Sequence, residues 1–415
     1  MRIKEKSKKD KNILIIGSGF AGISFYKEFH KLIHERSDIK ITILSENNYF
    51  LFTPLLHEVA TGNLLPEDII TPIRENFFCC TREIIIDKAL YIDVLKKQVK
   101  LKKTSVDYDY LVIATGASTN FFNIKGVKEY AYPLKDIHDS IRLKNGIVSL
   151  FEKAEMEKWK KIDVVLVGGG ATGIELSVEI SEFIEQLKPY YKNLREEDVE
   201  LRVKILNASE NFIPDFPQKV RKKVLSFFSN INSKVSIVLN SRVKVVEENK
   251  VILDNRKAVN YDFLVWSAGV KPIIPSNNLG IDVLKRIPVN QFLQTESENV
   301  FAIGDVAAVK NLEGGLYPQL AQIAEEEAKI CALNIYNDIN HKPKKPFLYN
   351  LDSLLLSLGH NNAIVYFKGI LITGKSAWIL WKFIYLVLMF NGRSKVMTAF
   401  NWISDQFSPR DISKI

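Results

Sequence analysis

Cysteine is scarce in this sequence, with three in 415 residues: Cys79, Cys80 and Cys331. None stands in a C-x-x-C or other metal-ligand spacing, and an adjacent pair rarely bridges, so no disulfide framework is expected and a reduced compartment is. The six histidines are scattered without an H-E-x-x-H or comparable pattern, which removes the usual grounds for a metal site. No apolar run reaches the roughly 18 residues of a bilayer span. The nearest approach is AWILWKFIYLVLMF, Ala377 to Phe390, which carries Lys382 and is flanked by Lys375 and Arg393. The N-terminal MRIKEKSKKDK runs straight into ILII without the longer apolar stretch and cleavage site of a signal peptide, so an unprocessed intracellular chain is expected. Low-complexity sequence is missing beyond that basic tail.

What remains is ordinary for a folded chain of two or three domains, 47% hydrophobic and 25% charged. The formal charge of +9 suits an anionic partner of some kind. Much of that charge lies in the tail, and no nucleic-acid partner is expected.

The first chemical signal is KNILIIGSGFAGISFYKEF. A buried strand, Ile13 to Ile16, meets Gly17, Gly19 and Gly22 in G-x-G-x-x-G, and helical periodicity follows. The first glycine permits the turn, the second lets backbone approach a pyrophosphate, and the third lets helix pack on strand. After the next strand, IKITILSE, Ser45 holds the usual acidic position and Glu46 comes one later, so the ribose contact is assigned to Glu46. The same grammar returns in VVLVGGGATGIELS with Gly168, Gly170 and Gly173. Two such turns imply two dinucleotide sites. The strand after the second ends at Asn207, which is neither a carboxylate for a free 2'-hydroxyl nor an arginine for a 2'-phosphate. YDYLVIATGAS, containing Ala114, Thr115 and Gly116, and YDFLVWSAGVKP, containing Gly269, are strands ending in small residues that let backbone pass close to a ligand. ENVFAIGDVAAV supplies a further strand followed by Gly304 and Asp305.

From Asn12 to Asn337 this order of motifs resembles the two-dinucleotide-binding-domain flavoproteins. The resemblance implies an FAD held non-covalently by the first turn and by the Gly304–Asp305 pair, with NADH at the second. NNYFLFTPLLHEVATGNL, Asn47 to Leu64, is similar to type II NADH dehydrogenases, non-pumping enzymes that pass electrons from NADH through FAD to a membrane quinone. By that resemblance Thr53 and Pro54 lie beside the flavin, and Glu175 matches a glutamate held near nicotinamide and flavin. YPQLAQIAEEEAKI keeps Ala321 and Gln322 of the family's Ala-Gln-x-Ala-x-Gln pattern but has Glu326 where the second glutamine is expected. Glu175, Gln322 and Glu326 are therefore the candidate catalytic residues, with Glu326 placed beside the quinone pocket.

The fold expected is α/β. Two Rossmann-like doubly wound domains, an FAD domain from about 10–120 and 265–345 and an NADH domain from about 121–264, precede a membrane-docking module at about 346–415. In that module Trp378, Trp381, Tyr385 and Leu388 are read as one lipid-facing stripe and Val396, Phe400, Ile403 and Phe407 as a second, joined by the basic turn NGRSK, with Lys382 snorkelling. The expected partners are a membrane quinone and the lipid surface, at the cytoplasmic face of the cell membrane. The same hairpin also suits a homodimer contact. Two rival functions stand beside this one: a sulfide:quinone oxidoreductase, which needs cysteines at the flavin, and a non-catalytic NADH-responsive flavoprotein resembling apoptosis-inducing factor.

Overall fold

The computed structural model describes residues 10–34, 36–75, 81–196, 198–213, 216–230, 234–278, 285–405 and 410–414. The basic tail, Cys79, Cys80 and Phe407 lie outside them. Two compact units form, each from discontinuous stretches of chain.

The first unit comprises the chain up to Phe50, Pro72–Ser118 and Val270–Asn350. Its centre is a five-stranded parallel sheet in the order Val300–Ala302, Tyr110–Ile113, Lys11–Ile16, Ile39–Ser45, Thr81–Ile86. Ile13 to Ile16 and Tyr110 to Ile113 are buried throughout, as strands covered on both faces require. The helix Phe20–Ile33 packs along Ala321–Ile339.

The second unit comprises Leu51–Thr71, Thr119–Gly269 and the chain from Leu351 onward. Its parallel sheet runs Tyr132–Pro133, Phe263–Trp266, Lys161–Val167, Glu200–Leu206, Val235–Val238. Trp266, Val165, Val167 and Leu206 form part of its apolar core. An antiparallel sheet, Ser353–Ser357, Ala363–Phe367 and Ile370–Gly374, leads into two helices, Lys375–Leu388 and Gly392–Ser404. This partition differs from the one expected. Residues 51–71, expected in the FAD domain, and the C-terminal stretch, expected as a separate module, both belong to the unit of the second Gly-rich turn, where Leu55, Leu56, Trp381 and Trp402 are buried.

The apolar C-terminal stripe is corrected in the same way. Trp381 and Tyr385, with Ala377, point inward and are buried, at one-turn spacing. On the first helix exposure falls instead on Ile379, Phe383 and Val387, 56 to 63% exposed, whereas Val396, Phe400 and Ile403 of the second helix face outward as expected, at 64 to 68%. Lys382 does not snorkel: its ammonium lies over the rings of Trp378 and Trp402, 4.0 and 4.9 Å from their centroids. Among the described residues no helix is long and apolar enough to cross a membrane.

Candidate nucleotide and acid sites

In the first unit the residues expected to hold a cofactor gather at the carboxyl ends of parallel strands, where such sheets bind ligands. Gly17 follows Lys11–Ile16 with φ +106°, a conformation glycine adopts without strain, and a Cβ there would strike the Ala114 carbonyl. A Cβ at Gly22 would collide with the Gly17 carbonyl. Gly19 faces open space and caps Phe20–Ile33 without a side-chain hydrogen bond or an acid in the first turn. The helix amides and dipole are thus left for a phosphate. Ser18 and Ser45 hydroxyls meet at 2.7 Å, and Glu46, just past the strand, is exposed and ion-paired to Lys88 at 3.4 Å. Ala114, Thr115 and Gly116 follow Tyr110–Ile113, and the Thr115 hydroxyl donates to the Ile273 carbonyl. Gly304 and Asp305 open a short turn after Val300–Ala302, and Gln319 Nε2 donates to the Asp305 carbonyl at 2.8 Å. These strand ends, open glycine and uncapped amides fit an FAD.

Ala321 and Gln322 begin the helix Ala321–Ile339, and the three glutamates that follow part ways. Glu326 turns outward and pairs with Lys329 at 2.6 Å. Glu327 turns inward, 2% exposed, and accepts the Gly304 amide at 2.5 Å. Burial pushes its carboxyl up to about 8. The inward acid of this helix is therefore Glu327, which the family comparison had not singled out, and Glu326 stands on the solvated side.

The second turn repeats the first. Gly168 has φ +120° against the Ser267–Ala268 backbone, Gly173 packs on the Gly168 carbonyl, and Gly170 faces open space at the uncapped start of Ala171–Leu187. Asn207 ends its strand with its amide given to Ser209 and Asn211. Gly269 follows Phe263–Trp266, where a Cβ would press on the Phe122 ring. Thr53 and Pro54 form a 3-10 turn before the short helix Leu56–Val59, and the Pro54 carbonyl accepts from the His57 ring.

Sequence reading missed what lies behind that turn. Glu175 is buried, accepts the Ser357 amide at 3.0 Å, and burial raises it to about 8. Four and seven residues on, Glu179 and Glu182 share its face of the helix. Arg410 spans them, at 2.8 and 2.9 Å, with the guanidinium side chain and Glu179 both about 5% exposed. Glu58, 2% exposed, accepts the Trp402 indole N–H at 2.5 Å, and burial raises it to about 8 although Lys382 opposes this. The 175, 179, 182 spacing was a signal available in the sequence. Nothing local announced Arg410. Among the described residues no cluster suited to a metal occurs.

Residues 11–328 match the family model described as pyridine nucleotide-disulphide oxidoreductase, and residues 354–411 the one described as NDH2 C-terminal domain. A "Probable NADH dehydrogenase" of Dictyostelium discoideum is 32% identical, covering 97% of this chain and 91% of its own length. A "Type II NADH:quinone oxidoreductase" of Haemophilus influenzae is 29% identical over 85% of this chain and 86% of itself. Among solved structures, NDH2 from Plasmodium falciparum in complex with NADH superposes with a TM-score of 0.85 at 22% identity, covering 98% of this chain and 100% of that one. The sulfide:quinone oxidoreductase of Aquifex aeolicus gives 0.74 at 21% identity over 93% and 92%. At such identities both likenesses speak for the fold alone.

Proposed function

The chain belongs to the type II NADH dehydrogenases of the pyridine nucleotide-disulphide oxidoreductase family, and we propose that it oxidises NADH and reduces a membrane quinone without pumping protons. Bound FAD supplies the two-electron carrier between the two substrates. Gly17, Gly19, Gly22, Glu46, Ala114, Thr115, Gly116, Gly304, Asp305, Ala321 and Gln322 hold it. Gly168, Gly170, Gly173 and Gly269 hold NADH, Thr53 and Pro54 fix the turn beside the reacting atoms, and Gln322 orients the quinone side. Glu175, fixed by the Ser357 amide, holds a proton within the second unit. Glu326, paired outward with Lys329, acts on the quinone only through solvent.

The observation that carries the quinone reading is the pair of exposed apolar faces on Lys375–Leu388 and Gly392–Ser404, in the unit that also carries the second turn. Each large side chain there contributes about 1.5 to 3 kcal/mol on leaving water, which suits in-plane docking at a bilayer interface. Arg393 and Lys395 at the connecting turn favour anionic lipid, and we place the enzyme at the cytoplasmic face. A homodimer through the same faces is the competing use, and light scattering with and without vesicles separates the two. Cys331 does not suit sulfide chemistry, since it is buried and burial holds its thiol well above its ordinary value.

The test is flavin content followed by NADH oxidation with a short-chain quinone in solution and a long-chain quinone in vesicles. One FAD per chain with both quinones reduced is expected. A yellow protein that NADH reduces but neither quinone reoxidises would overturn the reading.

A further inference from the structure

One short loop of the second unit is strained at an aromatic residue. Phe122 and Asn123 both stand in the left-handed region, with φ of 49° and 54°. Asparagine tolerates that region, whereas a side chain as bulky as phenylalanine adopts it only at a cost. Such strain persists where the surroundings fix it, and it gathers at functional sites. Here the loop is fastened from several sides. The Asn120 side-chain oxygen accepts the Phe122 amide at 2.9 Å, the Asn120 amide donates to the Gly269 carbonyl at 3.2 Å, and the Trp266 indole N–H donates to the Asn120 carbonyl at 2.9 Å. Phe121 packs against the apolar core that contains Trp266. Phe122 stays outside that core. It is 56% exposed, and the far edge of its ring rests on Gly269, where a Cβ would otherwise stand.

The second Gly-rich turn fixes which half of a dinucleotide this ring meets, because the turn lies between two strand ends. On one side a Cβ at Gly169 would strike Asn207 Oδ1, just past Glu200–Leu206, the strand end that takes the adenosine ribose in such folds. On the other side Gly168 abuts the backbone of Ser267 and Ala268, just past Phe263–Trp266. The Ser267 hydroxyl reaches the Val167 and Gly168 carbonyls at 3.2 Å each, which ties this strand end to the turn. With the pyrophosphate at the turn and the adenosine on the Asn207 side, the nicotinamide half runs toward Ser267, Ala268 and Gly269. Phe122 rests on the last of these.

We propose that Phe122 is the platform in the second unit on which the nicotinamide ring of NADH stacks, with Asn120 the residue that positions it. The ring is anchored by its edge on Gly269 and leaves a face to solvent, and a flat aromatic face takes a flat ring by offset stacking. The same face attracts the positive ring of the oxidised product, so NAD+ reads the contact as well as NADH does. Gly269 is then required twice, for its φ of +73° and for the room it leaves the platform. Phe122 exchanges no proton or electron, and its part is to hold the nicotinamide in place.

This inference rests on the NADH reading, and its test separates the two. Calorimetry on the yellow, FAD-loaded protein compares NAD+ with ADP-ribose, which carries every part of the dinucleotide except the nicotinamide ring. Wild type should bind both. Phe122→Leu keeps an apolar cover on Gly269 but offers no flat face, so NAD+ binding should weaken about tenfold and ADP-ribose binding by less than about twofold. The KM for NADH should rise in step with the loss of NAD+ binding. Phe122→Tyr keeps the face and should restore NAD+ binding to within about threefold of wild type. In Phe122→Leu, unchanged NAD+ binding or equal weakening of both ligands overturns the inference, the second outcome meaning that the loop only shapes the strand end. Should that variant fail to fold, Phe122→Trp keeps a flat ring and reports directly. Its added fluorescence should be quenched by NAD+ and not by ADP-ribose, and a response that does not distinguish the two overturns the inference instead. A wild type that binds neither ligand sinks the NADH reading and the platform together, whereas every other adverse outcome touches the platform alone.

Discussion

The two Gly-rich turns start nearly identical helices and end in different interiors. Phe20–Ile33 buries Ile23, Phe25, Tyr26, Phe29 and Ile33, and its charged pair, Glu28 with Lys31, stays in solvent. Ala171–Leu187 has the same uncapped glycine start, yet buries Glu175 and Glu179 and brings Glu182 beside Arg410. The first helix buries no charged side chain. The other adds ion pairs with Arg410 to its own apolar face, which is costly to build and leaves ionisable groups out of water. A nucleotide unit can therefore share a fold with its neighbour and still be the place where protons are stored.

Breaking the ion-pair side of this comparison should have the largest effect. Arg410→Ala leaves Glu179 and Glu182 facing each other without their cation, a change expected to cost about 3 to 5 kcal/mol by urea unfolding. Lys31→Ala, the matched change on the first helix, removes an exposed pair and should cost within about 1 kcal/mol. Comparable losses in the two variants would erase the distinction between the helices.

Next in size is the outward face of the C-terminal helices. Phe383→Ser with Phe400→Ser removes two side chains, each more than 60% exposed, so folding should be retained while binding to vesicles falls about a hundredfold or more. Trp381→Ser is the contrast on the inward face, where the ring is wholly buried, and should give insoluble or heat-labile protein. Flotation with vesicles and thermal melts read the two outcomes. Unaltered flotation of the double variant would return these faces to a role between protein copies.

Much of this was legible in the sequence, and the reason is physical. A strand, a turn that only glycine fits and a helix are local events, so Gly17 to Gly22 and Gly168 to Gly173 stand where their spacing places them. The membership of the C-terminal hairpin was not local. In AWILWKFIYLVLMF almost every residue is apolar, so hydrophobicity cannot say which stripe faces the core, and Trp381 and Tyr385 were assigned to the wrong side. Lys382 misled for the same reason: its burial depends on Trp402 and Glu58, far away in sequence. Arg410 lies beyond any periodic segment and acquires its meaning only when Glu179 and Glu182 are folded against it.

A smaller effect follows from the stored protons. Burial holds Glu58 and Glu175 at about 8 when folded, against an ordinary glutamate value of 4.5. Between about pH 5 and 8 the unfolded chain has released these protons and the folded chain keeps them. Stability from this source is therefore complete below about pH 4.5 and is lost as pH rises through 8. Melting temperatures from pH 5 to 9 should fall along that window, and Glu58→Gln should flatten part of the fall. A wild-type profile that rises across the window would mean that the two glutamates are ionised in the folded state.

The smallest effect is expected within one helical turn of the first unit, where Glu326 and Glu327 make the inside-outside comparison at single-residue scale. Glu326→Gln restores the glutamine of the family pattern but touches only an exposed pair with Lys329. Exposed pairs of this kind contribute about 0.2 to 1 kcal/mol, so stability, FAD content and the Michaelis constant for quinone should all stay near wild type. Glu327→Gln should differ, because the inward carboxyl holds the Gly304 amide at the turn that opens toward Asp305. Weaker FAD retention on dilution is expected for Glu327→Gln and not for Glu326→Gln. If Glu326→Gln instead shifts the quinone constant several-fold while Glu327→Gln leaves the flavin in place, the acid that matters on this helix is the outward one, and its pairing with Lys329 must give way when quinone binds.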